Sequence, residues 1–170
     1  KFGTDGWRAR IAEMYTFDNV RRVTQGFASY LTEHGVADQG VVIGYDRRFS
    51  SDLFAEAAAE VMAGNDIHVW LTSHNTPTPV ISYSVVEREA GGAINITASH
   101  NPPADNGFKV RDAAGGAIAP DGLRQIEAKI PASMDGVRRM DLHEAEERNR
   151  VRRWDPDPAY IAHIETMVDL

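Results

Sequence analysis

The chain has no cysteine, which removes disulfides, thiolate metal sites and cysteine nucleophiles from consideration. Long apolar runs are missing too. No stretch approaches the roughly 18 to 20 residues that span a bilayer, and the start Lys1-Phe2-Gly3-Thr4-Asp5 lacks the charged-then-apolar layout of a signal segment. A basic excess is likewise absent. The formal net charge of −7 argues against a protein that binds nucleic acid through its backbone. It leaves room for a small phosphorylated ligand, which senses local donors rather than the total charge. These absences lead us to expect a cytoplasmic chain with neither nucleic acid nor membrane as partner.

What is there suffices for one ordinary domain with a short extra segment: 170 residues, 42% hydrophobic and 25% charged, can bury a real core. There is no initiator methionine, and the sequence ends inside a helical pattern, Tyr160 to Leu170. We therefore expect a piece of a longer polypeptide.

Periodicity places the elements. Thr16 offers an N-cap, and Val20, Val23, Phe27 and Leu31 recur at three- and four-residue steps, so 17–33 reads as an amphipathic helix stopped near Gly35. Val41 to Tyr45 is a buried strand. Leu53, Phe54, Ala57, Ala58, Val61 and Met62 share one face of a second helix, with Ser50 or Ser51 as cap and Gly64 just past its end. Ile67 to Leu71 is the next strand. Thr76-Pro77-Thr78-Pro79 is a stiff turn before a segment, 80–90, that fits a helix but whose Ile81, Tyr83 and Val85 also fit a strand. Residues 93–98 form a third strand that runs directly into Ser99-His100-Asn101-Pro102.

Phe108 to Arg111, the glycines 115 and 116, and Ala117-Ile118 read as a hairpin, followed by a short helix over 120–130. Alternating helices and strands imply an α/β domain, three layers deep (α/β/α), with a mixed, mostly parallel sheet. From Ser133 to Arg153 the pattern dissolves into charge, the look of a solvated linker or exposed helix. The expected division is a domain over 1–135, a charged linker over 136–153, and the start of a second domain over 154–170.

Chemistry concentrates at Thr97-Ala98-Ser99-His100-Asn101-Pro102, which sets a hydroxyl, an imidazole, an amide and a rigid proline at the carboxyl end of a strand, the edge where open α/β sheets bind ligands. A hydrolase with His100 as base for Ser99 is disfavoured, because neighbours in an extended segment point to opposite faces and no Gly-x-Ser-x-Gly elbow exists. Asp46, Arg47 and Arg48 are expected to brace the loop after the second strand by ion pairing. The prolines 77 and 79 are expected to be scaffold.

Five blocks in order carry a more specific signal: Phe2-Gly3-Thr4-Asp5-Gly6-Trp7-Arg8, Gly44-Tyr45-Asp46-Arg47-Arg48-Phe49-Ser50-Ser51, Thr76-Pro77-Thr78-Pro79, Thr97 to Pro102, and Asn106-Gly107-Phe108-Lys109. Together they resemble the ordered signature of the α-D-phosphohexomutase superfamily, in its phosphoglucomutase and phosphomannomutase branch, over residues 1 to about 130. That stretch corresponds to the first of the family's four domains.

The resemblance implies that Ser99 carries a phosphoryl group, gives it to a hydroxyl of a hexose phosphate, and recovers the other phosphate from a hexose 1,6-bisphosphate intermediate. A phosphoserine bears about −1.5 to −2 charge and offers oxygens to a divalent cation, so Ser99 through its phosphate is the expected Mg²⁺ ligand, with the remaining ligands in domain II. His100 and Lys109 match positions near the reacting groups, and either could move the hydroxyl proton. Arg8 matches an arginine that holds phosphate through paired hydrogen bonds. Asp5 and Asn101 are further candidates for substrate binding.

The family's Asp-Gly-Asp-x-Asp metal loop, Gly-Glu-x-Ser-Gly-His sugar loop and Arg-x-Ser-Gly-Thr phosphate loop, expected in domains II to IV, have no counterpart here. The isolated chain is therefore expected to be inactive, and the hexose cannot be read. Trp7 and Arg10 look less like the phosphoglucosamine branch, but a phosphoglucosamine mutase domain stays an alternative within the resemblance. Two other readings stay open: an anion-binding α/β module without chemistry, and an interaction scaffold docking through the charged segment 138–153.

Overall fold

A computed structural model describes residues 2–3 and 6–168. Its centre is a six-stranded sheet in the order β1 (Trp7–Arg10), β5 (Asp105–Arg111), β4 (Gly92–Ile96), β2 (Val41–Tyr45), β3 (Val69–Thr72), β6 (Val151–Trp154). The β4–β2, β2–β3 and β3–β6 pairs are parallel, whereas β5 runs antiparallel to both β4 and β1. The expected mixed, mostly parallel sheet is what forms.

Helices cover both faces. On one lie α1 (Phe17–Glu33), α2 (Ser51–Gly64), α4 (Pro120–Ala128) and α5 (Leu142–Glu147); on the other lie α3 (Thr78–Glu87) and α6 (Asp157–Glu165). The larger core packs Val20, Phe27 and Leu31 of α1 and Phe54, Ala58 and Met62 of α2 against Ile43, Ile94, Ile96 and Phe108 of the sheet. A smaller core joins Val42 and Ala93 to Ile81 and Val85 of α3. β4 is buried throughout, as befits a strand covered on both faces, and its one polar side chain, Asn95, donates to Thr78 Oγ1 at 2.8 Å.

Thr16 caps α1 by accepting a hydrogen bond from the Asn19 N–H at 3.3 Å, and Gly35 follows with φ 69°. The second helix departs from its reading in three details. Ser50 sits in the left-handed region at φ 56° without capping α2, Gly64 is the helix's last residue, and Leu53 is 49% exposed, off the buried face.

Segment 80–90 is helical, since Pro77 and Pro79 start a helix and α3 buries Val80, Ile81, Ser84 and Val85. The expected hairpin shrinks to one bridge, Arg111–Ala117, closed by the Asp112 N–H donating to the Gly116 carbonyl at 3.0 Å, while β5 pairs with β4 and, over Asp105–Phe108, with β1. The charged stretch expected as linker or exposed helix supplies α5 and the sheet's edge strand β6. Arg153 holds this strand down by bonding Glu56 at 2.7 Å and Glu146 at 2.8 Å. α6 packs on α3 through Tyr83, whose ring meets Tyr160 and His163.

Chain order sets the position of the site. After β2 the chain crosses α2 to reach β3 on one side, then crosses α3 on the opposite face to reach β4 on the other side of β2. The carboxyl ends of β2 and β4 thus flank the point where the order reverses, the usual ligand crevice of an open α/β sheet.

Candidate active site

Ser99 lies just past β4 with φ 58°, a left-handed conformation that costs a non-glycine residue about 1 kcal/mol or more. Its side chain is exposed, and its N–H donates to Thr97 Oγ1 at 2.9 Å. The local bend changes one sequence argument: with Ser99 out of the extended region, Ser99 Oγ and His100 Nδ1 approach to 3.2 Å. Neighbours expected to diverge therefore meet.

The loop is clamped from the next strand. Arg48 donates from Nη2 to the carbonyls of Ser99 at 2.7 Å and Asn101 at 2.8 Å, and from Nη1 to those of Pro102 at 2.9 Å and Asp105 at 3.0 Å. A forked guanidinium suits this task, and no lysine could match it. Asp46 orients Arg48, facing its Nε at 3.2 Å while accepting from the Arg48 N–H at 3.0 Å. The chain of bonds continues inward: Ser51 Oγ donates to Asp46 at 2.9 Å, Asn106 Nδ2 donates to Ser51 Oγ at 2.9 Å, and Asn106 Oδ1 accepts from the Gly107 N–H at 2.8 Å. The bracing expected of Asp46 and Arg48 is realised. Arg47 takes no part in it and points to solvent.

Arg8, Gly107 and Thr97 form a row across β1, β5 and the end of β4. Arg8 faces Gly107 in register, and the Thr97 N–H donates to the Gly107 carbonyl at 2.9 Å. A Cβ at Gly107 would stand 2.4 Å from the Thr97 oxygen and 3.1 Å from Arg8 Cγ, so only glycine lets Arg8 lie across this row. Lys109, paired in register with Asn95, shares this sheet face by the two-residue period, is 7% exposed, and has Gly6 packed on its stem. Both cations thus stand on the α3 side of the sheet, close to the strand end that leads to Ser99. Asn101 lines the same cleft, but its amide donates to Asp105 at 3.1 Å and closes the loop. Asp5 lies outside the described residues.

Sequence reading missed Tyr15. Its hydroxyl donates to the Gly107 carbonyl at 2.8 Å from a fully buried ring stacked on Trp7. Burial first, and the charge of Asp46 second, push its phenol well above the usual range, so it remains a donor. A lone tyrosine before a helix cap carries no pattern that could have announced this.

The cleft at Ser99, about 450 Å³, is lined by Asp46, Arg47, Arg48, Phe49, Asn101 and Pro103. For a divalent cation the fit is incomplete. Asp46, the one carboxylate among those lining residues, is occupied by Arg48 and Ser51. Among the described residues the one convergent set of ligand-type groups is His74, Asp155 and Asp157, and it excludes Ser99. His74 Nε2 already bonds Asp157 at 3.1 Å. On the Ser99 side no free carboxylate among the described residues lines the cleft to complete a cation's ligand set.

A crevice at the switch point of an open, mixed sheet, with a serine hydroxyl presented at its edge, defines the class as a three-layer α/β/α domain with a strand-end site. Residues 1–135 match the family model for phosphoglucomutase/phosphomannomutase, alpha/beta/alpha domain I, and the chain belongs to that family. It is 38% identical over 133 residues to a phosphoglucomutase of Staphylococcus saprophyticus, covering 76% of this chain and 24% of that protein. Against a phosphoglucosamine mutase of Picosynechococcus sp. it is 37% identical over 137 residues, covering 81% and 27%. A crystal structure from Thermus thermophilus, provisionally described as a phosphomannomutase, superposes with a TM-score of 0.87 at 34% identity, covering 99% of this chain and 36% of that one. The chain thus spans about a quarter of the length of these two curated relatives. No helix among the described residues is long and apolar enough to cross a membrane.

Proposed function

We propose that this chain is the phosphoserine-bearing domain of a phosphohexomutase: Ser99 holds a phosphoryl group as an ester, passes it to a free hydroxyl of a hexose phosphate, and takes back the phosphate from the other end of the bisphosphate. One observation carries the reading. Ser99 is the exposed residue at the carboxyl end of β4, in a strained conformation that Arg48 stabilises through four main-chain carbonyls. Strain held from outside is a mark of a functional position.

Arg8 and Lys109 supply positive charge on the strands beside Ser99, which favours a dianionic ester and the charge that builds up in transfer. His100, at 3.2 Å from the Ser99 hydroxyl, can hold or release a proton there. Lys109 is the alternative proton carrier, and Asn101 and Asp5 remain candidates for contact with the sugar phosphate. The cation's other ligands and the rest of the sugar grip belong to domains II to IV.

The test is a coupled mutase assay on this chain with glucose 1-phosphate, Mg²⁺ and a trace of glucose 1,6-bisphosphate. No turnover above background is expected. Turnover comparable to that of complete mutases would overturn the dependence on further domains.

A further inference from the structure

The loop after β2 alternates in direction. Asp46 and Arg48 turn inward to clamp the Ser99 loop, while Arg47 and Phe49 are left on the outer side, both lining the Ser99 cleft. Arg47 also lines an adjoining cleft with Tyr45, Asp52, His74 and Asn75, and so stands at the passage between the two. Among the described residues no hydrogen bond, ion pair or ring contact occupies either side chain. Phe49 is 75% exposed, the most exposed large apolar side chain among the described residues.

Neither feature is favourable against water alone. A phenyl ring on a braced loop forgoes the free energy of leaving water. The Arg47 guanidinium shares both clefts with that of Arg48, while Asp46 is already taken up by Arg48 and Ser51. Both become favourable against a ligand that has an apolar face next to an anionic group, because the ring takes the face and the fork takes the anion. The main chain beneath them is fixed by the Asp46 bonds to the Arg48 N–H and to Ser51, so the pair is presented rather than searching.

We propose that Arg47 and Phe49 are substrate-contacting residues: Arg47 pairs with a phosphate of the hexose phosphate in the Ser99 cleft, and Phe49 packs on the C–H face of its ring. The choice of a sugar phosphate rests on the mutase reading, whereas the pairing of ring and guanidinium rests on geometry alone. A nucleotide also joins a flat face to a phosphate, so the experiment includes one.

The chain labelled with ¹³C and ¹⁵N is titrated by NMR with glucose 6-phosphate, adenosine monophosphate and inorganic phosphate. Glucose 6-phosphate is expected to shift the Arg47 Nε–H and Phe49 ring signals with saturation. Arg47→Gln should weaken that binding about tenfold. Phe49→Ala should weaken it about threefold while leaving inorganic phosphate unchanged. Both side chains are exposed, so the variants should keep the parent's amide spectrum.

Wild-type affinities in both variants, equal loss of inorganic phosphate in Phe49→Ala, tighter binding of the nucleotide, or no saturable response in the parent would each overturn the proposal. Intact-mass measurement of phosphate on Ser99 after incubation with glucose 1,6-bisphosphate separates the two readings. A Ser99 that never takes phosphate, beside intact Arg47 and Phe49 effects, sinks the mutase and spares this pair; the reverse result sinks the pair alone.

Discussion

The Arg48 guanidinium donates to the main-chain oxygen of Ser99 at 2.7 Å, so the exposed serine past β4 is held by the loop of a neighbouring strand rather than by its own. Arg48→Lys keeps the charge but gives up the fork, and should cost about 2 to 3 kcal/mol. Urea unfolding measures this. Amide exchange over 99–105 should quicken in the same variant, and unchanged exchange there would mean that the clamp does not order the loop.

Asn106 is fully buried between Ser51 and the Gly107 N–H. Asn106→Ala strands both partners away from water and is expected to lower stability by about 2 to 3 kcal/mol. Ser51→Ala removes one link of the same chain. In a double-mutant cycle the combined loss should be smaller than the sum of the two single losses; simple additivity would show that the network is not coupled.

Gly107→Ala places a methyl 2.4 Å from the Thr97 oxygen. We expect a loss of about 1 to 3 kcal/mol, with the β4–β5 hydrogen bonds next to the site loosened first. A denaturation midpoint equal to the parent's would show that the strands part at no cost.

His68 gives the pH dependence. Burial first, with the nearby Arg152, Arg150 and Arg88 in support, pulls its imidazole below the usual value; a hydrogen bond to the Asn149 carbonyl opposes this only in part. The unfolded chain therefore binds the proton more readily. The contribution is complete above pH ~6.5, where both states are neutral, and is lost as pH falls below that value towards the depressed native one. Stability should drop as pH falls below ~6.5, and His68→Gln should flatten that part of the profile. An unaltered slope in the variant would assign the acid loss to other groups.

The elements easiest to read were those whose periodicity and punctuation agree. Thr16, four apolar residues on one stripe and Gly35 define α1, and the run Ala93 to Ile96 defines a strand buried on both faces. β6 escaped because its sequence Val151-Arg152-Arg153-Trp154 is an edge strand whose arginines face solvent and surface carboxylates, so charge hid a sheet pairing. The hairpin reading failed on partner choice, since β5 carries a strand's pattern but nothing in it names β4 and β1.

In the site, Ser99, Lys109 and Arg8 were legible only as parts of ordered motifs. Tyr15 and the separation of Arg47 from Arg48 depend on which way a loop turns, which residue types do not specify. The left-handed turns at Ser50 and Ser99 are equally silent in sequence, because serine is an ordinary residue at neither position.

The central claim is that the Ser99 hydroxyl becomes a phosphoester by transfer from a sugar bisphosphate. Intact-mass and peptide-level mass spectrometry of the chain after incubation with glucose 1,6-bisphosphate and Mg²⁺, beside Ser99→Ala, tests it directly. One phosphoryl group on Ser99 of the parent and none on the variant is the predicted result. Equal modification of both, or none on a parent whose relatives charge under the same conditions, would contradict it.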